Sequence, residues 1–288
     1  MVAQIDVAYI RRRPLKLYSR LISYLFFEGR PLTTRGQWIN PFIFFHFAIE
    51  KVLPQFKKVE KPVFILGTGR SGTTILGVLL SMHKEVGFLN EPKALWHSIY
   101  PEEDLIGSYS RGKARYRLNA SNVGNAEQKH AERLYGAFLK ASSSSRVVDK
   151  YPELIFRIPF VKALFPDAKF LFLVRNGWDT CHSIEGWSQR LGEQKNGEIH
   201  NWWGANNRKW NLLMEQIVLE HEDLAPFVEQ MRSWENHIDM AAVEWIVTMR
   251  EGIEQERRFP NDVFRVNYED MCELPKQAMN SIVEFCEL

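Results

Sequence analysis

Gly67-Thr68-Gly69-Arg70-Ser71-Gly72-Thr73-Thr74 follows the apolar run Pro62-Val63-Phe64-Ile65-Leu66 and precedes Ile75-Leu76-Gly77-Val78-Leu79-Leu80. A buried strand that turns through glycines into an apolar helix is the sequence form of an anion cradle. Glycines at 67, 69 and 72 permit tight turning, and the first N–H groups of the helix have no intrahelical partners. Those donors and the positive end of the helix dipole favour a phosphate or sulfate. The spacing from Gly67 to Gly72 is that of a nucleotide-binding P-loop, but Thr73 stands where that motif carries its lysine. NTP hydrolysis is therefore not the expected chemistry. Arg70 is the cation of the loop, and its planar fork can hold two oxygens of one anion. Taken alone, the stretch would also suit an ordinary glycine-rich turn.

Three further apolar runs bear on that choice. Lys169-Phe170-Leu171-Phe172-Leu173-Val174 ends in Arg175, Asn176 and Gly177, with a helix expected from near Asp179 and Thr180. Ser183 follows Arg175 by eight residues, where a hydroxyl can join the guanidinium on one phosphate. Arg146-Val147-Val148-Asp149 ends in Lys150-Tyr151-Pro152, and Val263-Phe264-Arg265-Val266 in Tyr268-Glu269-Asp270. The last triplet reads as a structural turn and helix start. Strands alternating with helices predict an α/β protein: a P-loop-like three-layer fold whose central parallel sheet is flanked by helices. Ligands of such sheets bind outside the C-terminal strand ends. Alone, Lys150 could be a surface lysine and Arg175 a partner for Asp179; together with Arg70 and Ser183 they predict one anionic pocket.

At this point the chain resembles a known family. GTGRSGTT, then Lys150-Tyr151-Pro152, then FPDAKFLFLVRNGWDTCHS from Phe165 to Ser183, then VNYED from Val266 to Asp270 are similar to the motifs of the sulfotransferases that use 3′-phosphoadenosine 5′-phosphosulfate (PAPS). The nearest branch is the RSGTT type, which includes protein-tyrosine sulfotransferases and many bacterial enzymes. The resemblance covers residues 60 to 288, with little pattern from about 92 to 144 and from 186 to 260. It implies PAPS as donor co-substrate, no metal, and a hydroxyl-bearing small-molecule or glycan acceptor. Gly69, Arg70, Ser71, Gly72, Thr73 and Thr74 match the loop that holds the 5′-phosphosulfate. Arg175 and Ser183 match the pair on the 3′-phosphate. Lys150 matches the lysine that neutralises the bridging oxygen as the sulfuryl group leaves, and Glu91 the carboxylate that takes the acceptor's proton.

Those roles make chemical sense without the family. By analogy with phosphoryl transfer, sulfuryl transfer needs positioned groups and charge stabilisation more than covalent help. A carboxylate can remove the hydroxyl proton if burial raises its pKa. His83 and His97 are the competing bases; Lys84 and Glu85 mark His83 as a surface or capping residue, and His97, between Trp96 and Ser98, reads as packing. Glu102, Glu103 and Asp104 read as a solvated acidic loop. A metabolite kinase sharing the fold, or a non-catalytic nucleotide-binding protein, are the rival readings.

The 288 residues carry a formal charge of +2, which makes no case for nucleic-acid binding. Cys181, Cys272 and Cys286 form no CxxC pair and suggest free thiols, and no run is long enough to span a bilayer, so the cytoplasm is the default address. Residues 1–60 are expected to form a helical, aromatic segment packed on the core, although Arg11-Arg12-Arg13 and Lys16 beside Leu21, Phe26 and Phe27 also suit peripheral membrane contact. Residues 61–288 would form the sulfotransferase domain, with 186–260 an acceptor-side helical insertion. There Trp210 has the spacing of a core residue, while Trp202 and Trp203 suit either packing or a sugar or phenol acceptor. Family members continue past the YED strand into a basic lid, whereas Phe285-Cys286-Glu287-Leu288 ends this sequence; a fragment, a lid supplied elsewhere or weakened binding would each account for that.

Overall fold

The computed structural model describes residues 5–195 and 197–288, so the first four residues of the N-terminal segment and residue 196 of the insertion lie outside the described residues. The chain opens with α1 (Val7–Arg12), α2 (Pro14–Ile22), a π-helical turn over Ser23–Phe27, and α3 (Asn40–Glu50). Then β1 (Val63–Gly67) leads into α4 (Thr73–Ser81), β2 (Val86–Asn90) into α5 (Lys93–Ile99), and α6 (Asn125–Ala141) into β3 (Arg146–Lys150). After α7 (Ile158–Leu164), β4 (Lys169–Val174) leads into α8 (Gly177–Leu191). The strands β5 (Glu193–Lys195), β6 (Glu198–Asn201) and β7 (Gly204–Ala205) precede α9 (Arg208–Gln216), α10 (Val228–Arg232) and α11 (His237–Arg258). The chain closes with β8 (Val263–Asn267), α12 (Tyr268–Glu273) and α13 (Pro275–Cys286).

The main sheet has the order β2-β3-β1-β4-β8, and every neighbouring pair is parallel. A parallel sheet must be covered on both faces, which is why β1 is buried at all five positions. Successive side chains alternate between faces. Val63 and Ile65 join Leu76 and Leu80 of α4 and Ile282 of α13 in one core. Phe64 and Leu66 join Leu134 and Phe138 of α6, Ile184 of α8 and Val247 of α11 in the larger core on the other side. Two cores on opposite faces of one sheet make the three-layer α/β architecture expected from the sequence.

Among the described residues no strand lies beside the outer edge of β2, and the N-terminal segment covers it. Lys16 Nζ donates to the Val86 carbonyl at 2.7 Å, Arg20 to the Phe88 carbonyl at 3.2 Å, and the Asn90 N–H donates to Glu28 Oε1 at 2.7 Å. Arg20 and Glu28, both buried, also pair with each other. Side chains thus satisfy an edge that would otherwise template pairing with another chain. Phe27, Ile43 and Phe47 enter the larger core. Among the described residues no helix is long and apolar enough to cross a membrane.

Two expectations need correction. The stretch 186–260 is not purely helical, since β5, β6 and β7 form a small antiparallel sheet. The acidic run at 102–104 is not solvated: Glu103 and Asp104 are buried. Glu103 pairs with Arg157 at 3.0 Å and accepts the Tyr151 hydroxyl at 2.8 Å. Asp104 accepts the backbone N–H groups of Gly107, Ser108, Tyr109 and Ser110, holding a tight turn. Asp104 has donors enough to replace water, whereas Glu103 Oε1 is left without a hydrogen-bond partner, and burial pushes the Glu103 carboxyl up to about 7 with Arg157 opposing it.

Candidate active site

The loop after β1 reaches α4 through Gly72, whose φ of +94° lies in the left-handed region. A Cβ there would come within 2.4 Å of the Tyr268 ring, and one on Gly69 within 2.4 Å of the Trp202 indole. Only glycine lets the backbone lie this close to both aromatics. The hydroxyls of Thr68 and Ser71 are buried in the loop without a hydrogen-bond partner, as is Nε of Arg175. Donors are thus stored around the first N–H groups of α4.

One cavity of about 310 Å³ opens above the loop, at the C-terminal ends of β1, β3 and β4. Gly69, Arg70, Gly72, Thr73, Thr74, Glu91, Lys150, Arg175 and Ser183, nine of the ten residues singled out in the sequence, line it; Ser71 lies buried beneath. Arg70 is exposed at the rim, and its Nε donates to Ser183 Oγ at 3.2 Å, while Arg175 donates to the Arg70 carbonyl at 3.0 Å. Asn176 caps α8 by accepting the N–H groups of Trp178 and Asp179, which fixes the helix that carries Ser183. Arg175 lies 4.7 Å over the Tyr268 ring and 3.7 Å from Asp179. Desolvation at the pocket wall and the nearby Arg190 and Arg175 push Arg70 below the usual arginine range, with Glu91 opposing them. Guanidinium groups crowded in this way favour an anion among them.

Glu91 follows β2 and has a positive φ of 50°, as Arg70 has one of 71°. Both residues hold sparsely populated backbone conformations, which persist only where surrounding contacts impose them. For Glu91 those contacts are its own N–H to the Lys150 carbonyl at 2.6 Å and the ion pair of its carboxylate with Lys150 Nζ. Desolvation works to raise the Glu91 pKa, but Lys150 and Lys93 outweigh it, and the carboxyl sits below its ordinary value. The raised pKa expected of a buried base is not found, because two ammonium groups face it.

Glu91 is also one end of a chain of alternating charges that the sequence did not reveal. Lys93 Nζ lies 3.6 Å from Glu91 and 3.8 Å from Glu153; Lys209 lies 3.4 Å from Glu153 and 2.5 Å from Glu244. Glu244 accepts the Trp202 indole N–H at 2.8 Å. The two lysines are buried, and both are held above the usual lysine range because the carboxylates outweigh desolvation. Lys93 and Glu153 stand just after strand ends, a signal that could have found them. Lys209 and Glu244 sit on α9 and α11 among core residues, with no local mark.

Four aromatic residues are now assigned by position. Trp202 faces the cavity beside Trp187, ring centroids 5.4 Å apart, whereas Trp203 is buried against Trp210. Tyr268, read as structural, starts α12 and also lines the cavity. His97 packs near Phe44 and Tyr109, away from the residues that line it.

The profile of the sulfotransferase family matches residues 62–221, more than half of the chain. An uncharacterised protein of Aquifex aeolicus is 21% identical over 84% of this chain and 27% of its own length. A protein-tyrosine sulfotransferase of Drosophila melanogaster is 23% identical over 78% of this chain and 38% of its own. The present chain thus spans well under two thirds of either relative. Among solved structures, a sulfotransferase domain from the curacin biosynthetic pathway aligns with a TM-score of 0.47 at 17% identity, over 81% of this chain and 75% of that one. On the strength of the family match, which takes in the glycine loop, Glu91, Lys150, Arg175 and Ser183, this chain belongs to the sulfotransferase family.

Proposed function

We propose that the chain transfers a sulfuryl group from PAPS to a hydroxyl of a carbohydrate, lipid-linked or phenolic acceptor. The observation that carries this reading is the convergence of Arg70, Lys150, Arg175, Ser183 and Glu91 on one cavity from four separate segments. PAPS supplies the sulfuryl group and departs as 3′,5′-ADP. The residues fit such a bisanionic nucleotide, because partnerless donors of Ser71 and Arg175 and the open end of α4 surround the site.

Arg175 and Ser183 hold the 3′-phosphate, and Arg70, Thr73, Thr74 and the loop N–H groups hold the 5′-phosphosulfate. Lys150 and Arg70 stabilise the charge that develops as the bond to sulfur breaks. Glu91 is ionised at neutral pH and can accept the acceptor's proton. Its pairing with Lys150 weakens it as a base, so drawing Lys150 toward a bound anion raises its basicity. Trp202, packed against Gly69, and Trp187, one turn beyond Ser183 on α8, line the same cavity with Asn201 and offer aromatic faces and an amide edge to the acceptor. A kinase is disfavoured by Thr73 in the lysine position of the P-loop. The cysteines Cys181, Cys272 and Cys286 are free thiols, in keeping with a cytoplasmic protein.

Calorimetric titration with 3′,5′-ADP, AMP and Mg-ATP tests the donor site without the acceptor. Binding that requires the 3′-phosphate supports the reading and justifies an acceptor screen with labelled PAPS. Equal affinity for AMP, or preference for Mg-ATP, would overturn it.

A further inference from the structure

α3 is apolar on both sides. Its inner face buries Ile43 and Phe47, yet every exposed residue between Gln37 and Leu53 is apolar as well. Trp38, Phe42, Phe45, Ile49 and Val52 recur at alternating steps of four and three, which places them on one stripe. Trp38 and Val52 keep 75% of their surface and Phe42 and Phe45 about two thirds; Pro41 and Ala48 fill the gaps. The stripe is about 20 Å long at 1.5 Å per residue. Exposed Phe26 adjoins it, its ring centroid 6.3 Å from that of His46. A contiguous exposed stripe of this kind marks a docking surface.

Charge identifies the partner. Residues 1–60 hold ten Lys and Arg against four Asp and Glu, although the whole chain carries only +2, so the remainder is net acidic. Arg35 is exposed just before Trp38. At the far end, Lys57 Nζ donates to the Ser144 carbonyl at 3.0 Å and Ser19 Oγ lies 3.5 Å from Ser144 Oγ. The helix that follows exposed Arg11, Arg12 and Arg13 therefore meets the Lys57-Lys58 segment beyond the C-terminal end of α3. Arg35 and the Lys57-Lys58 segment thus flank the apolar stripe at its two ends, Lys58 pairing with Glu60, while Arg11, Arg12 and Arg13 stand farther along the N-terminal segment, where Tyr9 meets Ser81 of α4.

We propose that this face docks the protein on an anionic lipid surface. The rings of the stripe enter the boundary between headgroups and acyl chains, while the flanking arginines and lysines meet the headgroup phosphates. A second copy of the chain is the poorer fit. A two-fold contact would set basic flanks against each other. Pro31, Leu32 and Thr33, a few residues before Trp38, wall the catalytic cavity, so docking would bring the pocket rim close to the headgroups. The docking itself does not depend on the donor or the acceptor.

The test is flotation with phosphatidylcholine vesicles, with and without about 30% phosphatidylglycerol, at about 0.1 M and 0.5 M salt. The full chain is compared with a Phe42→Ser, Phe45→Ser variant and with an Arg11→Glu, Arg12→Glu, Arg13→Glu variant. All these side chains are exposed, so thermal melting should be unchanged. The full chain should float with anionic vesicles and release in high salt, and each variant should bind at least about tenfold more weakly. Absence of flotation, or equal flotation of the Phe42→Ser, Phe45→Ser variant, overturns the proposal. A dimer in sedimentation velocity that the same variant dissolves would assign the face to a second copy instead.

Discussion

Replacing Glu153 by glutamine probes the chain of charges in the cavity wall, where Glu91, Lys93, Glu153 and Lys209 all line the cavity. Glu153 is 11% exposed and lies between Lys93 at 3.8 Å and Lys209 at 3.4 Å. Desolvation works to raise its pKa, but the two ammonium groups dominate and hold it at about 2 against an ordinary 4.5. A displacement of that size corresponds to about 3 kcal/mol of stability. Because the folded-state pKa is the lower one, this stability is complete above about pH 5 and is lost as the pH falls toward 2. Glutamine keeps the size and removes the charge, leaving Lys93 and Lys209 with one carboxylate each, Glu91 and Glu244. Urea unfolding at pH 7 should therefore show a loss of about 3 kcal/mol, and the melting temperature should drop by about 6 °C. The gap between the two proteins should narrow as the pH is lowered from about 5 toward 3. Adding Lys209→Met to the variant should recover part of the loss by removing a cation that has lost a partner. A loss under about 1 kcal/mol at pH 7, or a gap that does not change with pH, would show that the chain of charges is not coupled as its geometry requires.

Lys150→Ala should lower kcat by about 10² to 10³ while changing the affinity for 3′,5′-ADP less than about threefold; comparable losses in both would remove Lys150 from the bond-breaking step. Arg175→Ala should weaken 3′,5′-ADP about 10- to 100-fold in calorimetry, the worth of a charged hydrogen bond, and leave AMP nearly unaffected. Burial pushes Asp149 up to about 7 from an ordinary 3.8, although Tyr135 and Trp96 donate to it. A raised carboxyl pKa costs stability as the pH climbs from about 4 through 7, so Asp149→Asn should gain up to about 4 kcal/mol relative to the parent between pH 4 and pH 8. A difference in unfolding free energy that stays flat over that range would mean Asp149 is ionised throughout.

The sequence by itself determined the central sheet and the residues that line the glycine-loop side of the cavity, because both depend on local order. The strand before Gly67 and the helix after Gly72, the runs ending at Lys150 and Val174, and the eight-residue step from Arg175 to Ser183 are each written in one short stretch. Parallel strands bring their C-terminal ends together, so residues at those ends meet without further specification. Only the tertiary structure decided the rest. β5, β6 and β7 carry short, largely polar segments with no alternation to reveal them. The alternation of Glu91, Lys93, Glu153, Lys209 and Glu244 is assembled from segments up to 153 residues apart, and no spacing encodes it. It also reversed the expected pKa shift of Glu91, since burial alone would raise that group and the lysines beside it lower it. The outer stripe of α3 was illegible for the opposite reason: a helix apolar all round has no favoured face in the sequence, and only packing shows which side is left to face the solvent.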